Sequence, residues 1–262
     1  MDINLKDIEL FLLDMDGTIY LDDDVFDGAI DFINLLIKQN KKYIFLTNNS
    51  SKSKITYINK LNRLGFTASE ENIFTSGMAM GIYLNDNYPK KKVYCMGTKN
   101  LIDELTNYKV NLVEDNPDVV VVGFDRELTT YKLEKTCSFL DDGAVFLATN
   151  PDWVCPIANK RYVPDCGSMC EMITHATGKK PFFIGKPNSY MIDILSKELN
   201  IPKNKICVIG DRCYTDIASG VNAKCYTICV LSGESTQKTI DESPFKPDLV
   251  LDSIKDLIPL IK

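Results

Sequence analysis

Residues 8–13 form an almost wholly apolar run that ends directly at the acidic residues Asp14 and Asp16. A continuously apolar strand is typical of a parallel sheet that is covered on both faces. Ligands of such sheets bind just beyond the carboxyl ends of the strands. Gly17 permits a sharp turn there, and side chains two residues apart on an extended segment point the same way. We therefore expect Asp14 and Asp16 to face one reacting group.

Strand-like and helical segments alternate along most of the chain. This rhythm predicts an α/β fold, with a Rossmann-like parallel sheet and helices on both faces. In the first part, a predicted strand at 42–46 lies between helices at 29–37 and 51–64. The last third repeats the rhythm with strands at 181–184, 205–209 and 224–231 and helices at 189–199 and 216–222.

The middle of the chain has strands and helices of its own. Its predicted strands are 92–96, 118–123 and 144–148. A segment with this much regular structure is too ordered for a loop. We interpret residues 80–180 as an α/β domain, inserted into a discontinuous core domain that residues 1–79 and 181–262 form.

The charge and composition argue against several classes of function. The 262 residues include 30 Lys and Arg and 36 Asp and Glu, a net charge of −6, so the chain lacks the basic excess of nucleic-acid-binding proteins. No apolar stretch reaches the ~20 residues of a membrane span, and the acidic N-terminus does not fit a signal peptide. We expect a soluble cytoplasmic protein with no nucleic-acid or membrane partner.

The cysteines and the single histidine argue against zinc and disulfide chemistry. None of the nine cysteines forms a Cys-x-x-Cys pair, so we interpret nearly all of them as reduced, buried core residues. A single histidine, His175, excludes a His-rich metal centre and would have to serve any Ser-His-Asp triad. We interpret it as a partly exposed residue of a helix that ends at Gly178.

Three more polar side chains follow predicted strands. Thr47, Lys186 and Asp211 each stand just beyond one, and Asp216 begins a helix shortly afterwards. Because the carboxyl ends of parallel strands meet at one edge of a sheet, these groups and Asp14 can converge on one ligand. A hydroxyl, a lysine and several acids able to hold a hard cation are what Mg²⁺-assisted phosphoryl transfer requires.

At these residues the chain resembles the haloacid dehalogenase-like phosphatase superfamily. Its four motifs match DMDGT at 14–18, TNN at 47–49, Lys186 and GDRCYTD at 210–216. The predicted insertion lies between the second and third motifs, as does the large α/β cap of class II. The stretch ATNPD at 148–152 resembles the NagD-type branch, which includes nitrophenylphosphatase-like, phosphoglycolate and pyridoxal phosphate phosphatases.

The resemblance implies a catalytic role for several motif residues. Asp14 would be the nucleophile that forms an aspartyl-phosphate, and Asp16 would protonate the leaving oxygen and then activate water. Mg²⁺ would be held by the Asp14 carboxylate, the Asp16 backbone carbonyl and Asp211. Asp216 would orient the water shell of the metal or Lys186.

The resemblance also implies how the substrate is bound. The implied substrate-binding residues are Thr47, Asn48, Asn49, Lys186, Asn150 and Asp152. Thr47, the Asn48 amide and Lys186 would hold the transferring oxygens, whereas the residues near 150 follow a cap strand and face the substrate in the family. A homodimer through the cap is also consistent with the resemblance.

The residues and the resemblance together predict a Mg²⁺-dependent phosphatase. It would hydrolyse a small phosphorylated metabolite through an aspartyl-phosphate, and the cap would close over the site and limit substrate size. Two alternatives stay open: a phosphotransferase with the same intermediate, and a non-catalytic sensor of a phosphate ligand. A sensor could dispense with Asp14 or Asp16, and this chain has both.

Overall fold

The computed structural model describes residues 4–157 and 161–262, and its fold is α/β, as predicted. The strands are β1 (Leu10–Leu13), β2 (Tyr20–Leu21), β3 (Asp24–Val25), β4 (Lys42–Thr47), β5 (Ile73–Thr75), β6 (Val93–Met96), β7 (Val119–Val122), β8 (Val145–Ala148), β9 (Val154–Ile157), β10 (Arg161–Pro164), β11 (Phe182–Phe183), β12 (Ile206–Gly210), β13 (Tyr226–Val230) and β14 (Leu249–Leu251). The α-helices are α1 (Ala29–Lys38), α2 (Lys54–Arg63), α3 (Ser76–Asn87), α4 (Lys99–Asn107), α5 (Thr130–Asp141), α6 (Cys166–Thr177), α7 (Tyr190–Glu198), α8 (Ala218–Ala223), α9 (Gln237–Glu242) and α10 (Ile258–Ile261). Among the described residues, no helix is both long and apolar enough to cross a membrane.

The first of two units has a six-stranded sheet in the order β14-β13-β12-β1-β4-β5. This unit comprises Met1–Thr47, Lys54–Phe74 and Lys186–Lys262. Strand β1 pairs in parallel with β12 on one side and with β4 on the other. Every residue of β1 is buried, as expected for a central strand. The carboxyl ends of β12, β1 and β4 therefore lie side by side.

Helices cover both faces of this sheet. Ile228 and Val230 of β13 belong to a core that includes Phe32 of α1. Cys229, which lies between them in the strand, packs instead with Ile240 of α9. Because successive side chains of a strand point to opposite faces, these two clusters lie on opposite sides of the sheet. This arrangement confirms the predicted layers.

The second unit comprises Asn48–Ser53 and Thr75–Gly185. Its four-stranded sheet has the order β11-β8-β7-β6, and the paired strands are parallel. Strands β9 and β10 form a separate antiparallel pair. Leu140 of α5 and Met169 of α6 belong to the apolar cluster of this sheet. The domain bounds 1–79, 80–180 and 181–262 stay a prediction.

The strand before Lys186 lies in the second sheet, and the sequence-based expectation was wrong on this point. We placed the strand at 181–184 in one sheet with the strands that precede Asp14 and Asp211. Instead, β11 pairs in parallel with β8, and Phe182 lies beside Leu147. Strand β11 has only two residues, so its hydrophobic pattern is too short to indicate which strand it pairs with. Both sheets are parallel, so the direction of the strand does not decide between them.

The cysteines and the histidine are placed as predicted. All nine cysteines lie among the described residues as thiols outside any disulfide, and most are buried. His175 lies in α6, which ends at Gly178 with a left-handed φ of 69°. The His175 side chain is 84% exposed and lies near Glu171, 3.7 Å away, one helical turn earlier. The histidine is therefore a surface residue of a helix.

Candidate active site

Asp14 stands at the carboxyl end of β1. Its backbone N–H donates to the carbonyl of Ile209 in the neighbouring strand (2.9 Å), which fixes the chain at this point. Gly17 then turns the chain with a φ of 90°, a conformation that favours glycine, and its N–H donates to the carbonyl of Tyr20 (2.8 Å). The Asp14 side chain is 17% exposed, so a ligand in solution can reach it.

Lys186 connects two of the predicted acidic residues. Its Nζ donates to Asp14 Oδ1 and to Asp216 Oδ1, each at 2.6 Å, and to the carbonyl of Leu46 at 3.1 Å. The side chain is only 3% exposed, and each of its three donors has an acceptor. Burial alone would lower the pKa of Lys186, but the two carboxylates outweigh it and raise this pKa. Lys186 is therefore charged at neutral pH.

Asp14, Asp211 and Asp216 form an acidic cluster. One carboxylate oxygen from each lies within 4.8 Å of the others. Asp211 follows β12, and Asp216 stands in a wide π-helical turn, Cys213–Ile217, that leads into α8. Burial raises the pKa of Asp14 well above its usual value; the Lys186 charge lowers this pKa, and the neighbouring Asp216 and Asp211 raise it further. Burial and then Asp216 raise the pKa of Asp211 to about 7.

The acidic cluster has the chemistry of a site for a divalent cation. Carboxylate oxygens are the ligands that Mg²⁺ prefers in proteins. The pKa values of Asp14 and Asp211 are raised because negative charges are buried close together, and a cation beside them relieves that repulsion. The residues therefore fit a hard divalent cation, such as the predicted Mg²⁺.

Sequence reasoning missed the loop that holds Asp211. The backbone N–H of Glu234 donates to Asp211 Oδ2 (2.8 Å), and Ser232 Oγ donates to the carbonyl of Gly17 (2.8 Å). A Cβ at Gly233 would overlap Asp211 Oδ2, so only glycine permits this close approach. The available signal was LSGES at 231–235, a glycine-containing turn directly after β13, but its proximity to Asp211 follows only from the fold.

Two predicted residues, Asp16 and Thr47, do not belong to the acidic cluster but lie close in the chain to residues of the site. Asp16 is exposed, and its backbone forms a β-bridge with Tyr20. Thr47 is the buried last residue of β4 and follows Leu46, whose carbonyl binds Lys186. Among the residues of the first unit, the structure thus brings Asp14, Lys186, Asp211 and Asp216 into direct contact or close proximity.

The other predicted substrate-binding residues belong to the second unit. Asn48 Nδ2 and Asn150 Nδ2 both donate to Asp152 Oδ2, at 2.7 and 2.8 Å, and all three residues are buried. Asn49 Oδ1 accepts from the N–H and the hydroxyl of Ser51, at 2.9 and 2.7 Å. The structure therefore joins Asn48, Asn150 and Asp152 in one polar group, and their roles toward a substrate stay predictions.

Comparison with known proteins places the chain in a family. Residues 11–111 match the haloacid dehalogenase-like hydrolases, and residues 183–257 match the HAD-hydrolase-like family. The chain is 34% identical over 280 residues to the chloroplastic phosphoglycolate phosphatase 1A of Arabidopsis thaliana, an alignment that covers 97% of this chain and 77% of that protein.

Solved structures agree with this relationship. A 4-nitrophenylphosphatase from Thermotoga maritima is 37% identical and has a TM-score of 0.94, covering 99% of this chain and 100% of its own. NagD from Escherichia coli K-12 is 31% identical with a TM-score of 0.89, covering 95% and 98%. The chain therefore belongs to the haloacid dehalogenase-like hydrolases, as predicted. Within this family it is a NagD-type phosphatase, an enzyme that hydrolyses phosphate monoesters.

Proposed function

We propose that the protein hydrolyses the phosphate ester of a small metabolite through a phosphorylated Asp14, with Mg²⁺ as cofactor. The observation that carries the proposal is the contact of Lys186 with Asp14, beside Asp211 and Asp216. It combines a nucleophilic carboxylate, a fixed positive charge and further acids for a cation, which are the parts that phosphoryl transfer needs.

The two half-reactions use Asp14 and Asp16 in turn. A carboxylate oxygen of Asp14 attacks phosphorus, the bond from phosphorus to the ester oxygen breaks, and Asp16 gives that oxygen a proton. Asp16 then takes a proton from water, which attacks phosphorus and releases Asp14 and inorganic phosphate. The exposed position of Asp16 suits exchange of protons with a leaving group and with water.

Residues at the end of β4 and Lys186 would hold the phosphate. The Thr47 hydroxyl and the Asn48 backbone N–H, with Asn49 next in the chain, would donate to the transferring oxygens. Lys186 would add its charge, which the raised pKa keeps at neutral pH. These interactions would stabilise the negative charge of the transferring phosphoryl group.

Asp14, the Asp16 carbonyl and Asp211 would hold the Mg²⁺, with Asp216 in support. When bound, the ion would offset the repulsion between the Asp14 carboxylate and an anionic phosphate. The raised pKa values of Asp14 and Asp211 support this assignment, because a cation beside these buried carboxyl groups would favour their ionised form.

The similar proteins do not narrow the substrate beyond its class. Their names refer to phosphoglycolate and 4-nitrophenyl phosphate, which share a phosphate ester and little else. We therefore propose a small phosphorylated metabolite and no single compound. The homodimer through the cap and the cytoplasmic location stay predictions from the sequence.

Phosphate release from 4-nitrophenyl phosphate, with Mg²⁺ or with a chelator, tests the proposal. We expect metal-dependent turnover by the wild type, almost none by Asp14→Asn, and an accumulated phosphoenzyme in Asp16→Asn that intact-protein mass spectrometry detects. Asp22→Asn is a matched control, because Asp22 is an exposed acid between β2 and β3, and it should behave as the wild type.

The outcomes separate the alternatives. A wild type that binds phosphate without turnover would favour the sensor. Full activity of Asp14→Asn would overturn the nucleophile, and immediate full turnover by Asp16→Asn would overturn its acid and base role.

A further inference from the structure

The Asp152 carboxylate is held inside the second unit by two side-chain amides. Its Oδ2 accepts from Asn48 Nδ2 at 2.7 Å and from Asn150 Nδ2 at 2.8 Å. Asn48 lies 104 residues away from Asp152 in the chain, so the fold alone brings the two together. A buried carboxylate is costly unless hydrogen bonds satisfy it, so these contacts fix its orientation.

The side-chain oxygen and nitrogen of Asn150 both form hydrogen bonds within the protein. Its Nδ2 also donates to Asp165 Oδ1 (3.1 Å), and its Oδ1 accepts from the hydroxyl of Thr149 (2.8 Å). The residue has 0% exposure. These contacts make Asn150 a support for Asp152, since none of its surface is open to a ligand.

The Asn48 residue is also fixed by contacts other than Asp152. Ser76 Oγ donates to the Asn48 carbonyl at 2.5 Å. An ideal Cβ on Gly185 would lie 2.5 Å from Asn48 Oδ1, so the glycine backbone packs closely against this amide. Gly185 precedes Lys186 and Asn48 follows Thr47 in the chain. The Asn48 side chain thus packs against the residue that precedes Lys186, and Asn48 itself directly follows Thr47.

We infer that Asp152 is a positioning residue that acts through Asn48 and does not itself bind the substrate. Its carboxylate fixes the Asn48 side chain, and this in turn fixes the backbone N–H of Asn48 that would donate to the phosphate. The inference deepens the proposed function and rests on it. A displacement of about 1 Å in a positioning group can lower a rate by as much as about 100-fold, so we expect a measurable effect when the contact is lost.

Exchange of the amide and the carboxylate is the decisive experiment. Asn48→Asp alone places two carboxylates face to face, whereas Asp152→Asn alone keeps an oxygen that can accept. The double variant Asn48→Asp/Asp152→Asn restores one donor and one acceptor between positions 48 and 152, in reversed order, while Asn150 Nδ2 keeps Asp165 Oδ1 as an acceptor. We expect kcat/KM for 4-nitrophenyl phosphate to fall by about 100-fold in Asn48→Asp and by about tenfold in Asp152→Asn, and to recover at least about tenfold in the double variant relative to Asn48→Asp.

Phosphate binding and unfolding temperature separate a positioning role from a general structural one. We expect calorimetric titration with inorganic phosphate and Mg²⁺ to show weaker binding in Asn48→Asp and recovery in the double variant. Asp125→Asn is the matched control, because Asp125 is a buried carboxylate of the same unit whose partners are Lys132 Nζ (2.7 Å) and the Glu127 N–H (2.8 Å). It should lower the unfolding temperature without changing KM or phosphate affinity.

Two results would overturn the inference. One is a double variant that is no better than Asn48→Asp in turnover and phosphate affinity. The other is an Asp125→Asn variant that loses as much phosphate affinity as Asp152→Asn. Failure of the proposed function is distinct, since the wild type would then release no phosphate, while the titration would still report on the contact between Asn48 and Asp152.

Discussion

The ammonium of Lys186 donates to the carboxylate of Asp14 across 2.6 Å, although 172 residues separate them in the chain. The same ammonium lies 2.6 Å from Asp216, and Asp211 completes the cluster. The Lys186 ammonium thus lies among three carboxylates in a largely buried site, and Arg212, a further positive charge near Asp211, is offset by its ion pair with Glu234 at 2.9 Å. The excess of two negative charges among these groups is what a divalent cation would balance. The charge of the site therefore favours the proposed magnesium.

Replacement of Lys186 by Met should reduce both activity and stability. Met keeps much of the length but removes the charge, so Asp14 and Asp216 lose their shared partner. Removal of one partner from a buried ion pair costs about 3–5 kcal/mol, which denaturant unfolding at neutral pH would measure. Phosphate release should be almost abolished, because the positive charge beside Asp14 is lost.

A partly exposed lysine, Lys54, provides the control for that variant, because its side chain is 24% exposed. Lys54 lies 3.8 Å from Glu70, and the Glu70 side chain is 73% exposed. Lys54→Met should cost at most about 1 kcal/mol and leave turnover intact. Equal stability of the two variants would contradict the proposed charge balance at Asp14.

The stability of the metal-free protein should fall as pH rises from about 4 to about 7. Burial and Asp216 raise the pKa of Asp211 to about 7, and burial also raises that of Asp14. In this window the folded protein binds more protons than the unfolded chain, so stability decreases with pH and the penalty is complete above the folded pKa. Thermal unfolding in a chelator across this range measures the effect.

Magnesium should reverse this trend. Metal binding competes with protons for the same carboxylates, so the ion should raise the unfolding temperature more at about pH 8 than at about pH 5. A shift that does not depend on pH would contradict the assignment of Asp14 and Asp211 as ligands. A similar shift with Mg²⁺ in Asp211→Asn would contradict it as well.

Gly233→Ala should weaken the binding of Mg²⁺. A methyl group at this position would overlap Asp211 Oδ2 and displace the carboxylate from the cluster. Disturbed support of a metal ligand typically costs about 10–100-fold in affinity, which calorimetric titration with Mg²⁺ would measure. Gly143→Ala is the control, because Gly143 has φ 100° and nothing within 4 Å of an added Cβ. It should strain the backbone without changing metal affinity, and an equal loss in both variants would contradict the prediction.

The core of the site could be predicted from local patterns and one topological rule. Asp14 and Asp211 each follow a continuously apolar strand, and parallel strands place such residues at one edge. The pairing of β1 with β12 agrees with that reasoning. Lys186 also lies beside Asp14, although its preceding strand belongs to the other sheet, so this part of the reasoning was incomplete.

The hydrogen-bond partners of Asp152 and Asp211 could not be predicted from the sequence. Asp152 accepts a hydrogen bond from Asn48, and Asp211 accepts one from the Glu234 N–H. Both contacts involve loops whose paths depend on how the helices and strands pack. Such loops have no periodicity in the sequence that indicates a partner. The sequence contains a glycine at position 233, but it does not indicate that this glycine makes room for the Asp211 side chain.

Alkylation of the native protein should be confined to the partly exposed cysteines. Burial raises the pKa of the Cys95 and Cys225 thiols to about 12, so near pH 8 they carry almost no reactive thiolate. Cys137 and Cys155 are only partly buried and should react first with iodoacetamide, as peptide mass spectrometry would show. Cys213, which is close to Asp211 in the chain, is buried and should escape labelling. Turnover should therefore survive the treatment. Labelling of Cys95 as fast as Cys155 without denaturant would contradict the buried position of that thiol.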